Sequence, residues 1–225
     1  MVCVVTDRRR LAGRDAPPER MRRCLIAQAR YAAAAGVELL QIRERDLPAA
    51  ELADVVREAV AVTRGSSTRV VVNDRLDVAI ACGADGVHLR GDSIAVAAVR
   101  RVAPRGFIVG RSVHAVEEAL AAAGADYLIA GTVFPSASKP RAALLGCDGL
   151  AAIARSVDVP VLAIGGITES RVDAVVQAGA AGCAAIGLFI RDDHQLDGGD
   201  SCRAVPLVSL VERLRKSFDT VKTGP

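Results

Sequence analysis

Cys82-Gly83-Ala84-Asp85-Gly86 closes one Ala-rich stretch and opens the apolar run Gly86-Val87-His88-Leu89. The same phrase recurs as Ala35-Gly36-Val37, as Ala123-Gly124-Ala125-Asp126-Tyr127 and as Ala178-Gly179-Ala180-Ala181-Gly182. Glycine accepts the left-handed backbone that ends a helix before the chain turns into a strand. Worked outward, the phrase divides the chain into eight strands, at 2–6, 38–42, 69–73, 86–89, 107–111, 127–130, 161–164 and 183–187. Helices are predicted between them at 18–35, 49–63, 76–81, 94–102, 115–123, 149–156 and 169–178, with a last one at 205–218. Strand and helix alternate throughout, which implies βαβ units and a parallel sheet. Eight such units close more readily than they extend, so the fold class is α/β, a single (β/α)8 TIM barrel. An open doubly wound sheet is the alternative. Its usual mark, Gly-x-Gly-x-x-Gly after the first strand, is absent, because 2–6 runs into Asp7-Arg8-Arg9. One domain covers 1–225, with a tail after about 218 expected to be flexible.

Composition agrees with that reading. The chain is 51% hydrophobic but only 3% aromatic, so its core must be aliphatic. Parallel strands buried on both faces want such residues. A surface that stacks RNA bases wants aromatics. The net charge of +3 gives no reason to expect nucleic acid as a partner. The arginines between Arg8 and Arg23 read as a solvated start of a helix. No apolar run nears the ~20 residues of a membrane span, and a strand beginning at Val2 leaves no room for a signal peptide. Six scattered cysteines without a Cys-x-x-Cys pair suit reduced thiols in a cytoplasmic protein.

A barrel carries its site at the C-terminal strand ends. Polar residues converge there: Thr6 and Asp7, Gln41 to Asp46, Asn73 to Arg75, His88 to Ser93, Arg111 to His114, and Thr132 to Lys139. Ile164-Gly165-Gly166-Ile167-Thr168 is the most specific local signal. Its glycines let backbone N–H groups approach an oxyanion, and a helix opening near Thr168 adds its dipole. With Gly187 they make a phosphate cup, against the alternative of a tight turn that needs glycine. Arg43 and Arg45 point to one side of a strand extension. They suit a phosphate or carboxylate, unless they form an ion-pair ladder with Glu44 and Asp46. His114 can move protons near neutral pH, or it caps the next helix. His88 either faces the site or fills the upper layer of the barrel. The polar loop 134–141 reads as a lid carrying Lys139, or as a surface loop.

Thr6-Asp7, Gln41-Ile42-Arg43-Glu44-Arg45, Val72-Asn73-Asp74, Asp85-Gly86-Val87-His88-Leu89, Gly131-Thr132-Val133-Phe134-Pro135-Ser136-x-Ser138-Lys139 and Ile164-Gly165-Gly166-Ile167 occur in this order. The set resembles the thiamine phosphate synthase superfamily, which also holds the thiazole tautomerases, and it spans nearly the whole chain. The synthase branch joins hydroxymethylpyrimidine diphosphate to thiazole phosphate, releases pyrophosphate and uses Mg²⁺. For that branch the resemblance implies Asp74 as one metal ligand. The second belongs where Ser93 stands, with Asp92 one residue early. The tautomerase branch aromatises a thiazole carboxylate phosphate without metal or other cofactor. Gly110-Arg111-Ser112-Val113-His114 and Arg43-Glu44-Arg45 resemble that branch, whereas Asp74 resembles the synthase.

The favoured expectation is therefore an isomerase, a thiazole tautomerase with His114 as the catalytic acid and base. Arg43, Arg45, Asn73, Ser112, Thr132, Ser136, Ser138 and Lys139 would bind its substrate, and Gly165, Gly166 and Gly187 its phosphate. The alternatives are the transferase, with Mg²⁺ on Asp74 and Asp92, and a non-catalytic regulator that binds thiazole or thiamine phosphate. The expected partner is a small phosphorylated thiazole, with a homodimer open and neither nucleic acid nor membrane involved.

Overall fold

The computed structural model describes residues 1–135, 143–191 and 202–219. Its strands are β1 (Val2–Val5), β2 (Leu39–Ile42), β3 (Arg69–Asn73), β4 (Gly86–Leu89), β5 (Ile108–Val113), β6 (Tyr127–Gly131), β7 (Val161–Ile164) and β8 (Gly182–Ala185). They pair in sequence order, all parallel, and β8 returns to β1 through Val2–Cys183 and its neighbours. The chain is a single closed (β/α)8 barrel. The four repeated glycines close their helices in the left-handed region, with φ of 64° at Gly36, 66° at Gly83, 88° at Gly124 and 81° at Gly179.

Nine α-helices are found among the described residues: α1 (Arg8–Ala12), α2 (Pro18–Ala34), α3 (Ala49–Thr63), α4 (Leu76–Ala81), α5 (Val96–Arg100), α6 (Val116–Ala121), α7 (Gly146–Ser156), α8 (Val172–Gln177) and α9 (Val208–Asp219). Four expectations need correction. The sequence pattern missed α1, whose five residues are too few to show a period. Its start is fixed by Asp7, which accepts the Arg10 N–H at 3.0 Å. The helix expected at 169–178 opens instead as a 3-10 turn, Glu169–Arg171, before α8. β5 runs on to Val113 because Ser112 and Val113 still pair with Ile129 and Ala130. β8 stops at Ala185, and Gly187 begins a 3-10 turn, Gly187–Phe189. The expected flexible tail from 220 onward lies outside the described residues.

Alternation along the strands splits the core in two. One face packs the aliphatic side chains against the helices. The other fills the barrel with Cys3, Val5, Leu39, Val71, Tyr127, Ile129, Leu162 and Ala184. Continuing that inner face toward the C-terminal ends brings up Gln41, Asn73, His88 and Ser112, so the barrel is apolar below and polar at its top. All six cysteines are free thiols. Among the described residues no helix is long and apolar enough to cross a membrane.

Candidate active site

The floor of the site is a buried polar layer. Gln41 donates from Nε2 to Asn73 Oδ1 at 3.0 Å. His88 contacts the Tyr127 hydroxyl through Nδ1 at 3.1 Å and Ser112 Oγ through Nε2 at 2.9 Å. Burial, with the charges of Arg111 and Arg43 behind it, pushes the His88 imidazole down to about 3. A neutral imidazole carries one donor and one acceptor, so His88 passes polarity from Tyr127 to Ser112 without a charge. It occupies the upper layer of the barrel.

At the ends of β1 and β2 the acidic side chains are already taken. Glu44 is buried and accepts from Thr6 Oγ1 at 2.7 Å and from Arg8 Nη1 at 3.0 Å. Asp46 accepts from Arg8 Nη1 at 2.6 Å and Arg9 Nη2 at 2.7 Å, and the Arg8 guanidinium holds its carboxyl down at about 2. The ladder of Arg43 and Arg45 with Glu44 and Asp46 is therefore not formed. Neither guanidinium pairs with a carboxylate among the described residues. Burial first, and then the charge of Arg45, pushes the Arg43 guanidinium below its ordinary range. These arginines, with Asp7, Arg8, Arg9, Glu44 and Asp46, line a cavity of about 350 Å³. A half-buried cation without a partner stands ready for an anion.

Beyond β3, Asp74 adopts φ 63°, and its N–H donates to the His88 carbonyl at 2.9 Å. Left-handed backbone at a residue other than glycine is costly and gathers at functional sites. Ser93 donates its hydroxyl to Asp74 Oδ1. Asp92 turns away, 70% exposed, and pairs with Arg90 Nη2 at 2.5 Å. The paired-carboxylate Mg²⁺ site that the resemblance implies does not fit these donors. Asp74 stands alone, its partners are a hydroxyl and the Arg90 guanidinium at 3.6 Å, and no three Asp, Glu, His or Cys cluster among the described residues.

Beside Gly91, His114 is 53% exposed, and both its N–H and its Nδ1 meet Glu118 Oε2, at 2.8 and 3.1 Å. Glu118, in the first turn of α6, thus reaches back to the residue before the N-cap Ala115. Gly165 and Gly166 have φ of 99° and 61°. A Cβ on Gly165 would strike Thr132, and one on Gly166 would strike Phe134 and Pro135, so backbone angle and packing both demand glycine. Thr132 is buried in that contact. Arg171 clamps the turn by donating to the Gly166 carbonyl at 2.7 Å. Gly187 faces Arg10, whose Nη2 would lie 3.2 Å from a Cβ there. Ser136, Ser138 and Lys139, with the lid expected around them, lie outside the described residues.

Residues 11–189 match the thiamine monophosphate synthase family, well over half the chain. The chain belongs to that family. Among its relatives, the thiamine-phosphate synthase of Methanoregula boonei is 46% identical over 165 residues, covering 72% of this chain and 76% of that one. The thiamine-phosphate synthase of Caldanaerobacter subterraneus is 35% identical over 205 residues, covering 89% and 91%. A solved thiamine phosphate pyrophosphorylase from Pyrococcus furiosus superposes with a TM-score of 0.76 at 32% identity, covering 99% of this chain and 96% of that one.

These relatives of the thiamine monophosphate synthase family overturn the isomerase expectation. Two carry the synthase name over 72% and 89% of this chain and the solved one is a thiamine phosphate pyrophosphorylase, so the tautomerase reading, with the role it gave His114, is withdrawn. Most of the strand-five motif behind it is β5 itself; only His114 lies past the strand, exposed and paired with Glu118. In the sequence Arg90 stands only as one of the polar residues after strand four, with no role of its own, and Arg10 only within an arginine run that reads as a solvated helix start.

Proposed function

We propose that the protein is a thiamine-phosphate synthase, a transferase joining hydroxymethylpyrimidine diphosphate to thiazole phosphate with release of pyrophosphate. The observation that carries this reading is likeness over 72% and 89% of the chain to two relatives of that name, and over 99% to a solved thiamine phosphate pyrophosphorylase. In the reaction the bond from the pyrimidine methylene to the diphosphate oxygen breaks. The thiazole nitrogen forms the new C–N bond with its lone pair, and pyrophosphate leaves with the electrons of the broken bond. Arg43 and Arg45 take the diphosphate, being cations without carboxylate partners. The Gly165-Gly166 turn, with Thr132 against it, and Gly187 take the thiazole phosphate, and Lys139, Ser136 and Ser138 are proposed as further substrate-binding residues. Asn73, held by Gln41, and Ser112, held by the neutral His88, offer hydrogen bonds to the rings between. Six free thiols support a cytoplasmic setting. No step is routed through Mg²⁺, because the donors at Asp74 do not fit the paired-carboxylate site. The test is to mix the purified protein with both substrates and follow thiamine phosphate and pyrophosphate, with and without EDTA. Joint appearance of both products is expected, and their absence in every condition would overturn the reading.

A further inference from the structure

We propose that Arg90 is a diphosphate-binding residue of this site, its guanidinium supplying at the leaving group positive charge that a second metal-holding carboxylate would otherwise bring. The inference rests on the synthase reading. It starts from Ser93, which stands where the second carboxylate was expected and donates its hydroxyl to Asp74. Arg90 Nη1 lies 3.6 Å from Asp74 Oδ2, and Arg90 Nη2 lies 2.5 Å from Asp92 Oδ2. Asp92 is thus no ligand. It is the brace that turns Arg90 toward Asp74.

The backbone around Arg90 is fixed as well. Its N–H donates to Ser93 Oγ at 2.9 Å, and its carbonyl accepts the Ser93 N–H at 3.2 Å. Arg111 reaches from β5 to the carbonyls of Gly91 at 2.8 Å, Ser93 at 3.3 Å and Ile94 at 2.7 Å. Five polar ties fix this loop, which is what a precise ligand contact needs. Arg90, beyond β4, lies on the same strand-end rim as Arg43 and Arg45 beyond β2, and its charge, like that of Arg45, bears on Arg43. Like charges on one rim repel one another until a polyanion enters among them. A guanidinium fork matches phosphate oxygens in pairs, and charge aimed at a departing pyrophosphate acts where negative charge develops. A metal bound by Asp74 would instead meet that guanidinium as a second cation.

The experiment is calorimetric titration of inorganic pyrophosphate into the full chain, first with EDTA and then with Mg²⁺. Wild type is expected to bind without Mg²⁺. Arg90→Gln should bind roughly 10–100-fold more weakly, the scale of one charged hydrogen-bonding partner, with its melting temperature unchanged because Arg90 is 41% exposed. Arg90→Lys should recover part of the loss. Ser93→Asp should bind only when Mg²⁺ is present. Wild type that needs Mg²⁺ to bind, or Arg90→Gln that binds as wild type does, would overturn the proposal, as would Ser93→Asp binding normally in EDTA. Product formation separates this from the wider reading. Turnover alongside unchanged Arg90→Gln binding removes the role of Arg90 and keeps the synthase. Arg90-dependent binding without turnover keeps the anion contact and removes the synthase.

Discussion

His88 shows how one residue sets a pH dependence. Its imidazole is pushed down to about 3 in the folded barrel, chiefly by burial, while an unfolded chain titrates near 6.5. Between those values the unfolded state binds the extra proton. Folding stability therefore rises with pH across that window and is lost as pH falls from about 6.5 toward 3. One such group contributes a slope of at most about 1.4 kcal/mol per pH unit. Gln in its place can still bond Tyr127 and Ser112 but cannot titrate. Urea unfolding at pH 7, 6 and 5 is expected to show His88→Gln losing less stability than wild type with each step down. Equal losses would show that His88 is not held neutral. Sequence alone left His88 undecided, since Gly86-Val87-His88-Leu89 tells which face the side chain takes but not that Tyr127 and Ser112 wait on that face.

Between elements, the junction of β1, α1 and β2 divides its arginines into two kinds. Arg8 ties α1 to β2 through the buried Glu44 and through Asp46. Arg43 and Arg45 leave β2 with no carboxylate partner among the described residues. All of them look alike in the sequence, where only the spacing of Arg43 and Arg45 hinted at a shared direction. The division became visible once α1, too short to announce itself, brought Arg8 and Arg9 across to the acids. Arg8→Ala leaves a buried carboxylate short of donors and should lower stability by about 1–3 kcal/mol. Arg43→Ala removes a desolvated cation that has no partner, so the fold should keep its stability while KM for the diphosphate substrate rises at least tenfold. Thermal melts beside steady-state kinetics for the two variants check this. A structural role for Arg43 would appear as a matching drop in melting temperature. Elements with strong periodicity, α2 and α3 above all, were legible to within a residue because their apolar faces are long and glycine or proline bounds them. Of the helices of five or six residues only α4 was read with its observed bounds; α1 was missed, and α5, α6 and α8 were drawn too long.

The whole barrel must fill its interior with very few aromatic rings, and it places one of them, Tyr127, at the boundary between apolar core and polar floor. Space for that ring comes from a neighbouring strand. Gly110 on β5 pairs with Tyr127 on β6, and a Cβ on Gly110 would fall against the Tyr127 ring. The glycine is thus a requirement of packing across the barrel, with no unusual backbone angle to betray it in sequence. Gly110→Ala should cost about 1–3 kcal/mol, the range for overfilling a close-packed core. It should also displace the hydroxyl that meets His88 and so disturb the floor of the site. Tyr127→Leu alone opens a cavity and leaves His88 Nδ1 without its partner. Together the two changes partly cancel, because the smaller side chain makes room for the added methyl. Residues in contact couple by about 0.5–3 kcal/mol, so the double variant is expected to be more stable than the sum of the single losses. Denaturant unfolding of all four proteins measures that difference. Simple additivity would mean that Gly110 and Tyr127 do not share the space and that the barrel interior absorbs the methyl elsewhere.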